Sequence, residues 1–268
     1  MNAKERLDAA SIEKKLREAG KEARVAVFPT LASTNTTARQ MAADGAQNGA
    51  VVIAEWQSAG RGRMSRSFFS PDGTGLYMSL IVRRPLPAAD ATRLTTAAAV
   101  ATAQAIEALS GRDARIKWIN DIYLDGKKVC GILTEGHISP ESGLLDYAIV
   151  GIGVNIAPPE SGFPPEIADI ATAVFTEKTP PEGAREQLAV EIINRLLGFV
   201  DDLISPSILT EYRRRALYLG ERVFVRRVDE TPRAAIATEI DDEFRLVVRY
   251  EDGTTEALDS GEVSVKKM

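Results

Sequence analysis

Two glycines and three arginines crowd into one short stretch, Gly60-Arg61-Gly62-Arg63-Met64-Ser65-Arg66. The apolar run Val51-Val52-Ile53-Ala54 leads into it and reads as a buried strand. Gly60 and Gly62 let backbone N–H groups approach an anion closely. Arg61, Arg63 and Arg66 add permanently charged planar forks suited to phosphate and carboxylate. A strand feeding such a loop fits a phosphorylated ligand; a solvated basic surface loop would have the same composition. Downstream, Asn120-Asp121 and Lys127-Lys128 place a carboxylate and two cations around a turn. Asn155 closes a glycine-rich run and reads either as a turn residue or as an amide for a base edge.

Composition narrows the chemistry. The chain has 268 residues, 33 basic and 38 acidic side chains and a formal charge of −5. Bulk electrostatics therefore do not favour nucleic acid, and the arginine loop is a local basic feature. Cys130 is the single cysteine and His137 the single histidine, which disfavours a disulfide, a Cys or His metal cluster and a Ser-His-Asp triad. No apolar run reaches membrane length and no signal peptide is evident, so the cytoplasm is the expected compartment and no membrane partner is expected. Hydrophobic residues make up 44%, enough for a substantial core.

The elements that must position these residues follow in order. Residues 5–19 read as a weak amphipathic helix with Leu7, Ile12 and Leu16 on one face. Val25 to Phe28 reads as a strand, and Thr36 to Ala43 as a helix. Ser33 or Thr34 is a natural N-cap for that helix, and the same hydroxyls and N–H groups could bind a small polar ligand. Leu76 to Val82 reads as a strand and alanine-rich residues 90–109 as a buried helix. Arg115 to Trp118, Ile122 to Leu124 and Val129 to Thr134 read as strands, the last two joined by the Asp125-Gly126 turn. Leu145 to Val154 is a further strand; residues 186–204 and 207–218 are helices. From Leu219 onward four short apolar runs, at 223–225, 235–237, 246–248 and 263–265, suggest a small all-β unit. Asp242-Glu243 lacks the glycine expected at one of its turns.

Four stretches together carry a resemblance: Ser33-Thr34-Asn35; Glu55-Trp56-Gln57 with Gly-Arg-Gly-Arg and Arg66; Lys117-Trp118-Ile119-Asn120-Asp121 with Lys127-Lys128-Val129-Cys130-Gly131-Ile132-Leu133; and Gly151-Ile152-Gly153-Val154-Asn155. In this order they resemble the biotin protein ligases, from about Val25 to the C-terminus. The resemblance implies an α+β fold: a catalytic domain like that of class II aminoacyl-tRNA synthetases, a mixed sheet with helices, plus a C-terminal SH3-like β-barrel. It divides the chain into a short N-terminal extension (1–22), a catalytic domain (23–218) and the small domain (219–268). Some members carry an N-terminal winged-helix DNA-binding domain; residues 1–22 are too few for one.

The implied reaction joins biotin to ATP as biotinyl-5′-AMP and then transfers biotin to a lysine of a biotin carboxyl carrier protein, a subunit of acetyl-CoA carboxylase. Neither step needs an enzyme nucleophile, only charge neutralisation, orientation and exclusion of water. By resemblance, Ser33, Thr34, Asn35, Gln57, Arg61, Gly62, Arg63, Lys128 and Gly131 bind biotin. Gly60, Arg61, Arg63, Arg66, Phe68, Asn120 and Asn155 bind the nucleotide. Lys128, Arg61, Arg63 and Asp121 are the catalytic set, with Lys128 near the carboxylate and α-phosphate and Asp121 orienting the acceptor lysine. Lys127 reads as the exposed hairpin lysine. Mg²⁺ accompanies the triphosphate and no dedicated metal site is expected. Members of the family dimerise by sheet extension, so the resemblance allows a homodimer. Ser65, Phe68 and Ile119 depart from the family's usual glycine, tryptophan and proline. A lipoate ligase and a biotin-responsive binding protein are the competing readings; the Gly-Arg-Gly-Arg loop weighs against the first, and Lys128, Asp121 and both arginines against the second.

Overall fold

The computed structural model describes residues 5–64, 66–88, 90–227, 230–259 and 263–267. In chain order the elements are α1 (Ala9–Glu18), β1 (Val25–Phe28), α2 (Thr34–Ala43), β2 (Val51–Ala54), β3 (Gly75–Val82), α3 (Asp90–Ser110), β4 (Arg115–Lys117) and β5 (Asp121–Leu124). They continue with β6 (Lys127–Ile138), β7 (Leu145–Asn155), α4 (Pro165–Ala168), α5 (Ala184–Asp201), α6 (Pro206–Arg215), β8 (Arg222–Arg227), β9 (Arg233–Ile240), β10 (Leu246–Tyr250), β11 (Thr255–Leu258) and β12 (Val263–Lys267). β1 to β7 form one mixed sheet in the order β1-β2-β3-β7-β6-β5-β4, in which only the β1–β2 pair is parallel. β8 to β12 form a second, antiparallel sheet in the order β11-β10-β9-β8-β12. The small β unit expected from Leu219 onward is thus present. β11 was not legible as an apolar run because its sequence, Thr-Glu-Ala-Leu, holds only two apolar residues.

Period-two alternation gives the large sheet two faces. On β3 and β7 the even positions, Leu76, Met78, Leu80, Val82 and Ala148, Val150, Ile152, Val154, join the main core. That core also holds α3 and α5, whose alanines and leucines pack closely on the sheet. Odd positions Ile81, Tyr147 and Ile149 pack instead under Ala38 and Ala42 of α2. α2 covers only part of this second face. Beyond it β7 places Gly151 and Gly153 on this face, opposite the buried Ser79 and Tyr77 of β3, and over the two glycines the face opens into a cleft.

A β-bulge decides what enters that cleft. Ile122 pairs with Cys130 but Tyr123 pairs with Lys128, which leaves Val129 as the extra residue. Val129 and Cys130 are consequently both in the core. Lys128 is turned to the same face as Gly131, although the two lie three apart. Strict alternation would have sent them to opposite faces.

Both stems of the arginine-loop excursion are clamped by one buried ion pair. Glu55, just after β2, lies 2.6 Å from Arg185 in the first turn of α5, with side chains 3% and 5% exposed. Arg185 Nε also donates to the carbonyl of Gly75 at the start of β3, and its Nη1 to the carbonyl of Glu5. Glu55 accepts in turn from Leu7 N–H at 2.7 Å. The expected N-terminal helix is therefore built into the fold: Leu7, Ile12 and Leu16 belong to the main core.

The second sheet meets the first through a turn. Asp241 Oδ1 accepts from the N–H groups of Glu243 and Arg245, and its Oδ2 from Arg245 Nε. These bonds hold the Asp241 carboxyl below its usual range even though burial works against them. The missing glycine is explained: the left-handed position of this turn is taken by Phe244, at φ 59°. Its ring is buried, edge-on to Tyr212 at 5.5 Å, and its carbonyl accepts from Trp118 Nε1 at 2.9 Å.

Removing one member of a buried pair leaves the other charge uncompensated. Arg185→Met should lower stability by about 3–5 kcal/mol in urea unfolding. Adding Glu55→Gln to it should recover part of that loss, because the stranded carboxylate is then gone. A single-variant loss below about 1 kcal/mol would deny the pair this role.

Candidate active site

Five stretches of the chain line the cleft: 33–35, 57–68, 117–121, 128–133 and 151–153. Its floor is glycine: Gly131 of β6 pairs in register with Gly153 of β7, and Leu133 with Gly151. A Cβ on Gly151 would come within 2.0 Å of Asn35 Oδ1, and one on Gly153 within 2.6 Å of the Phe68 ring. These positions need glycine because other groups lie directly on the strands.

One wall is the start of α2. Ser33 occupies the N-cap position, yet its side chain makes no capping bond. The cap is supplied from elsewhere: Gln57 Oε1 accepts from Thr34 N–H at 2.8 Å and lies 3.2 Å from Thr34 Oγ1. Gln57 Nε2 donates to Ser70 Oγ at 2.9 Å, so its amide is held from both ends. Ser79, fully buried on β3, donates to Asn35 Oδ1 at 2.7 Å and sits 2.8 Å from Thr34 Oγ1. Asn35 Nδ2 is used by the Leu133 carbonyl and by Glu135. The Ser33-Thr34-Asn35 stretch is thereby a prearranged set of hydrogen-bonding groups at one end of the cleft.

The second wall is the arginine loop. Phe68 N–H donates to the Gly60 carbonyl at 2.9 Å, and Gly62 N–H to the Arg66 carbonyl at 2.7 Å, so the loop is a tight excursion with a pinned base. Arg61, Gly62, Arg63, Arg66 and Phe68 line the cleft. Gly60 lies behind, buried, where a Cβ would strike the Phe68 carbonyl at 2.4 Å. Arg63 Nη1 donates to Asn120 Oδ1 at 3.0 Å. Burial lowers the Arg63 guanidinium below its usual value and Arg66 pushes the same way, against an upward pull from Asp121. An arginine remains charged under such a shift, so the cleft holds a partly desolvated cation.

The far wall comes from β5 and β6. Lys128 Nζ lies 2.6 Å from Asp121 Oδ1, both side chains partly exposed to the cleft. Lys127 is exposed and does not line it. Lys117, Trp118 and Asn120 complete the wall, with Asn120 Nδ2 donating to the Ile132 carbonyl at 2.8 Å. The Trp118–Ile119 peptide is cis. Asn155 lies outside the lining: its Nδ2 donates to the Thr172 carbonyl, and Thr172 N–H donates to the Lys128 carbonyl. It braces the segment beside Lys128. Cys130, buried just beneath, has its thiol pushed well above the usual range by burial and is no nucleophile. Among the described residues no group of three or more His, Cys, Asp and Glu could cage a metal.

Of the residues given a binding or catalytic role from sequence, Gly60 and Asn155 stand outside the cleft lining and support it from behind.

 The others all line the one cleft. Ser65 falls outside the described residues. Gly151 belongs to a stretch marked in the sequence but was given no role there, and Ser79 and Glu135 were not marked at all. For Ser79 the signal was a lone hydroxyl inside the apolar strand run Leu76 to Val82; for Glu135 no local pattern marked it.

A mixed sheet with a glycine floor, a capped helix start, an arginine loop and a Lys–Asp pair together form a cleft whose cations and N–H donors suit an anionic ligand. The family model described as the biotin/lipoate A/B protein ligase family matches residues 27–155. The bifunctional ligase/repressor BirA of Bacillus spizizenii is 37% identical over 226 residues, which cover 83% of this chain and 68% of that protein. The biotin–[acetyl-CoA-carboxylase] ligase of Paracoccus denitrificans is 35% identical over 225 residues, 81% of this chain and 90% of that one. A biotin protein ligase from Aquifex aeolicus, solved with biotin and ATP, shares the fold at a TM-score of 0.71 and 24% identity, over 91% of this chain and 99% of that one. The chain belongs to the biotin/lipoate A/B protein ligase family.

Gly151→Ala tests the floor. The added methyl must displace the Asn35 amide, and with it the bond to Ser79. The expected cost is about 1–3 kcal/mol in thermal or urea unfolding, the range for overpacking. A variant as stable as the parent would mean that Asn35 does not rest on the strand.

Proposed function

We propose that this chain is an ATP-dependent biotin protein ligase whose acceptor is a lysine of a biotin carboxyl carrier domain, the biotin-bearing part of acetyl-CoA carboxylase. The observation that carries the reading is one cleft in which the prearranged polar groups at Ser33-Thr34-Asn35 and Gln57 face two loop arginines and the Lys128–Asp121 pair. The name of the Paracoccus relative, a biotin–[acetyl-CoA-carboxylase] ligase, supports the same activity, and that of the Bacillus relative supports a ligase.

In the first step a carboxylate oxygen of biotin forms a bond to the α-phosphorus of ATP, and pyrophosphate leaves. Two anions must be brought together, and the protein's part is to offset their repulsion. The ureido end of biotin takes the polar groups of Ser33, Thr34, Asn35 and Gln57, while Gly131 and its neighbours leave room for the rings. Lys128 meets the carboxylate and α-phosphate. Arg61 and Arg63, with Gly62 N–H between them, close over the mixed anhydride and keep water out. Arg66, Phe68 and Asn120 flank the nucleotide; Gly60 and Asn155 act by bracing the loop and the Lys128 segment. In the second step the acceptor lysine nitrogen bonds to the acyl carbon and AMP leaves. Asp121 orients that amine.

Mg²⁺ is expected with the triphosphate. The donor set fits an ion held mainly by phosphate oxygens and water, with Asp121 the protein carboxylate in the cleft. Bound there, it would neutralise phosphate charge.

Incubation with ATP, Mg²⁺, labelled biotin and a biotin carrier domain tests the activity, with lipoate as competitor. Label on the carrier lysine is the expected result; transfer of lipoate in its place would move the chain to the lipoate side of the family.

Lys128→Ala should slow adenylate formation by about 10²-fold or more, the scale of one lost electrostatic stabiliser. Biotin binding should weaken less than the rate falls, since the charge that Lys128 meets grows in the transition state. Lys127→Ala should be nearly silent. Pre-steady-state adenylate formation beside biotin titration decides it, and equal losses in the two variants would remove Lys128 from its role.

Arg63→Gly removes one fork of the cage. The variant should release biotinyl-5′-AMP faster, and non-target lysines nearby should become labelled. Adenylate retained as long as by the parent would show that Arg63 is not a cage residue.

A further inference from the structure

Glu135 stands one residue pair along β6 from the cleft floor, on the same face as Gly131 and Leu133. It does not line the cleft, yet three groups from two other parts of the chain converge on its carboxylate. Oε2 accepts from Asn35 Nδ2 at 2.8 Å and from Arg61 Nη1 at 3.3 Å. Oε1 lies 3.1 Å from Arg61 Nη2 and 2.5 Å from Arg39 Nη2. The contact to Arg61 is therefore two-pronged, one carboxylate oxygen to each terminal nitrogen of the fork.

We propose that Glu135 is a positioning residue for the ligand anion, acting through Arg61, a role that rests on the ligase reading given above. Arg61 is a long side chain, 45% exposed, on a loop with glycine on both sides. Left alone, its fork would sample many orientations, and ordering it would fall on ligand binding. An isolated exposed ion pair would do little to prevent this. Here the carboxylate is itself only 19% exposed and is already held by Asn35 and Arg39, so little further freedom is lost when Arg61 joins it. The same carboxylate fixes Asn35: with both amide hydrogens drawn to Glu135 and the Leu133 carbonyl, Asn35 Oδ1 must face Ser79. One strand residue thus sets the loop arginine and the helix-start asparagine, which come from separate parts of the chain, relative to each other.

Glu135→Gln isolates the Arg61 part. One amide oxygen still serves Asn35, while the amide N–H₂ turns toward the guanidinium groups and the fork loses its anchor. Biotin titration of the full-length chain is compared for the parent, Glu135→Gln, Arg61→Ala and the double variant. Glu135→Gln should weaken biotin about 10-fold in the parent background and less than about twofold in the Arg61→Ala background, since the residue it acts through is already gone. A general loss of stability would lower affinity by the same factor in both backgrounds, and that result overturns the proposal, as does parental affinity in the single variant. Hydrogen exchange without ligand gives a second readout: amides of residues 60–64 should exchange faster in Glu135→Gln than in the parent. Should the parent bind no biotin, the ligase reading falls, while exchange still decides the pairing, and unchanged rates overturn it.

Discussion

The fold depends on a charge pair in an apolar setting. Glu55 and Arg185 are both nearly inaccessible, and burying either alone would be strongly unfavourable. The pair persists because its remaining hydrogen-bonding capacity is met by backbone: Leu7 N–H on the carboxylate, the Gly75 and Glu5 carbonyls on the guanidinium. Its placement matters more than its strength. Glu55 begins and Gly75 ends the excursion that holds Gln57, the loop arginines and Phe68. One arginine from α5 grips both stems, so an excursion made of glycine and mutually repelling cations starts and finishes on fixed points. Gln57, two residues past the clamp, then caps α2, and the loop base closes through Gly60 and Gly62.

A second constraint is the parity of β6. The bulge at Val129 hands two successive residues to the core and returns Lys128 to the cleft face. The segment that braces this edge, Ile170 to Thr172, holds Lys128 by two backbone bonds and is held in turn by Asn155. The Lys128–Asp121 pair thus arises from an irregularity in the ladder, with support on both sides of it.

Much of this was legible in the sequence where a pattern was local. The strands at 25–28, 51–54 and 76–82, the alanine-rich helix and the small β unit follow from periodicity and composition. The loop arginines and Lys128 stood out because charges cluster around glycines and turns there. What stayed hidden depends on distant partners. Nothing near Glu55 announces Arg185, which lies 130 positions away. Ser33 has the chemistry of a capping residue, but Gln57 reached the helix start first. The strand at 127–138 runs past the expected end at Thr134, because Glu135-Gly136-His137 is polar in sequence and is held in extended form by its ladder with β7. Phe244 could not be foreseen in a left-handed turn position, since a bulky residue adopts that conformation only when its surroundings compensate.

Those surroundings are the Trp118 and Tyr212 side chains, and they have a consequence for modularity. The small sheet touches the cleft wall by inserting one ring from a hairpin tip and offering that residue's carbonyl to an indole N–H. Lys117 and Asn120, the immediate neighbours of Trp118 and Ile119, line the cleft. The C-terminal unit is therefore not a detachable appendage that could be swapped among relatives as a cassette. A chimera that exchanged it would have to carry Phe244, Trp118 and Tyr212 together, and an insertion at that hairpin tip would disturb the cleft wall at Trp118.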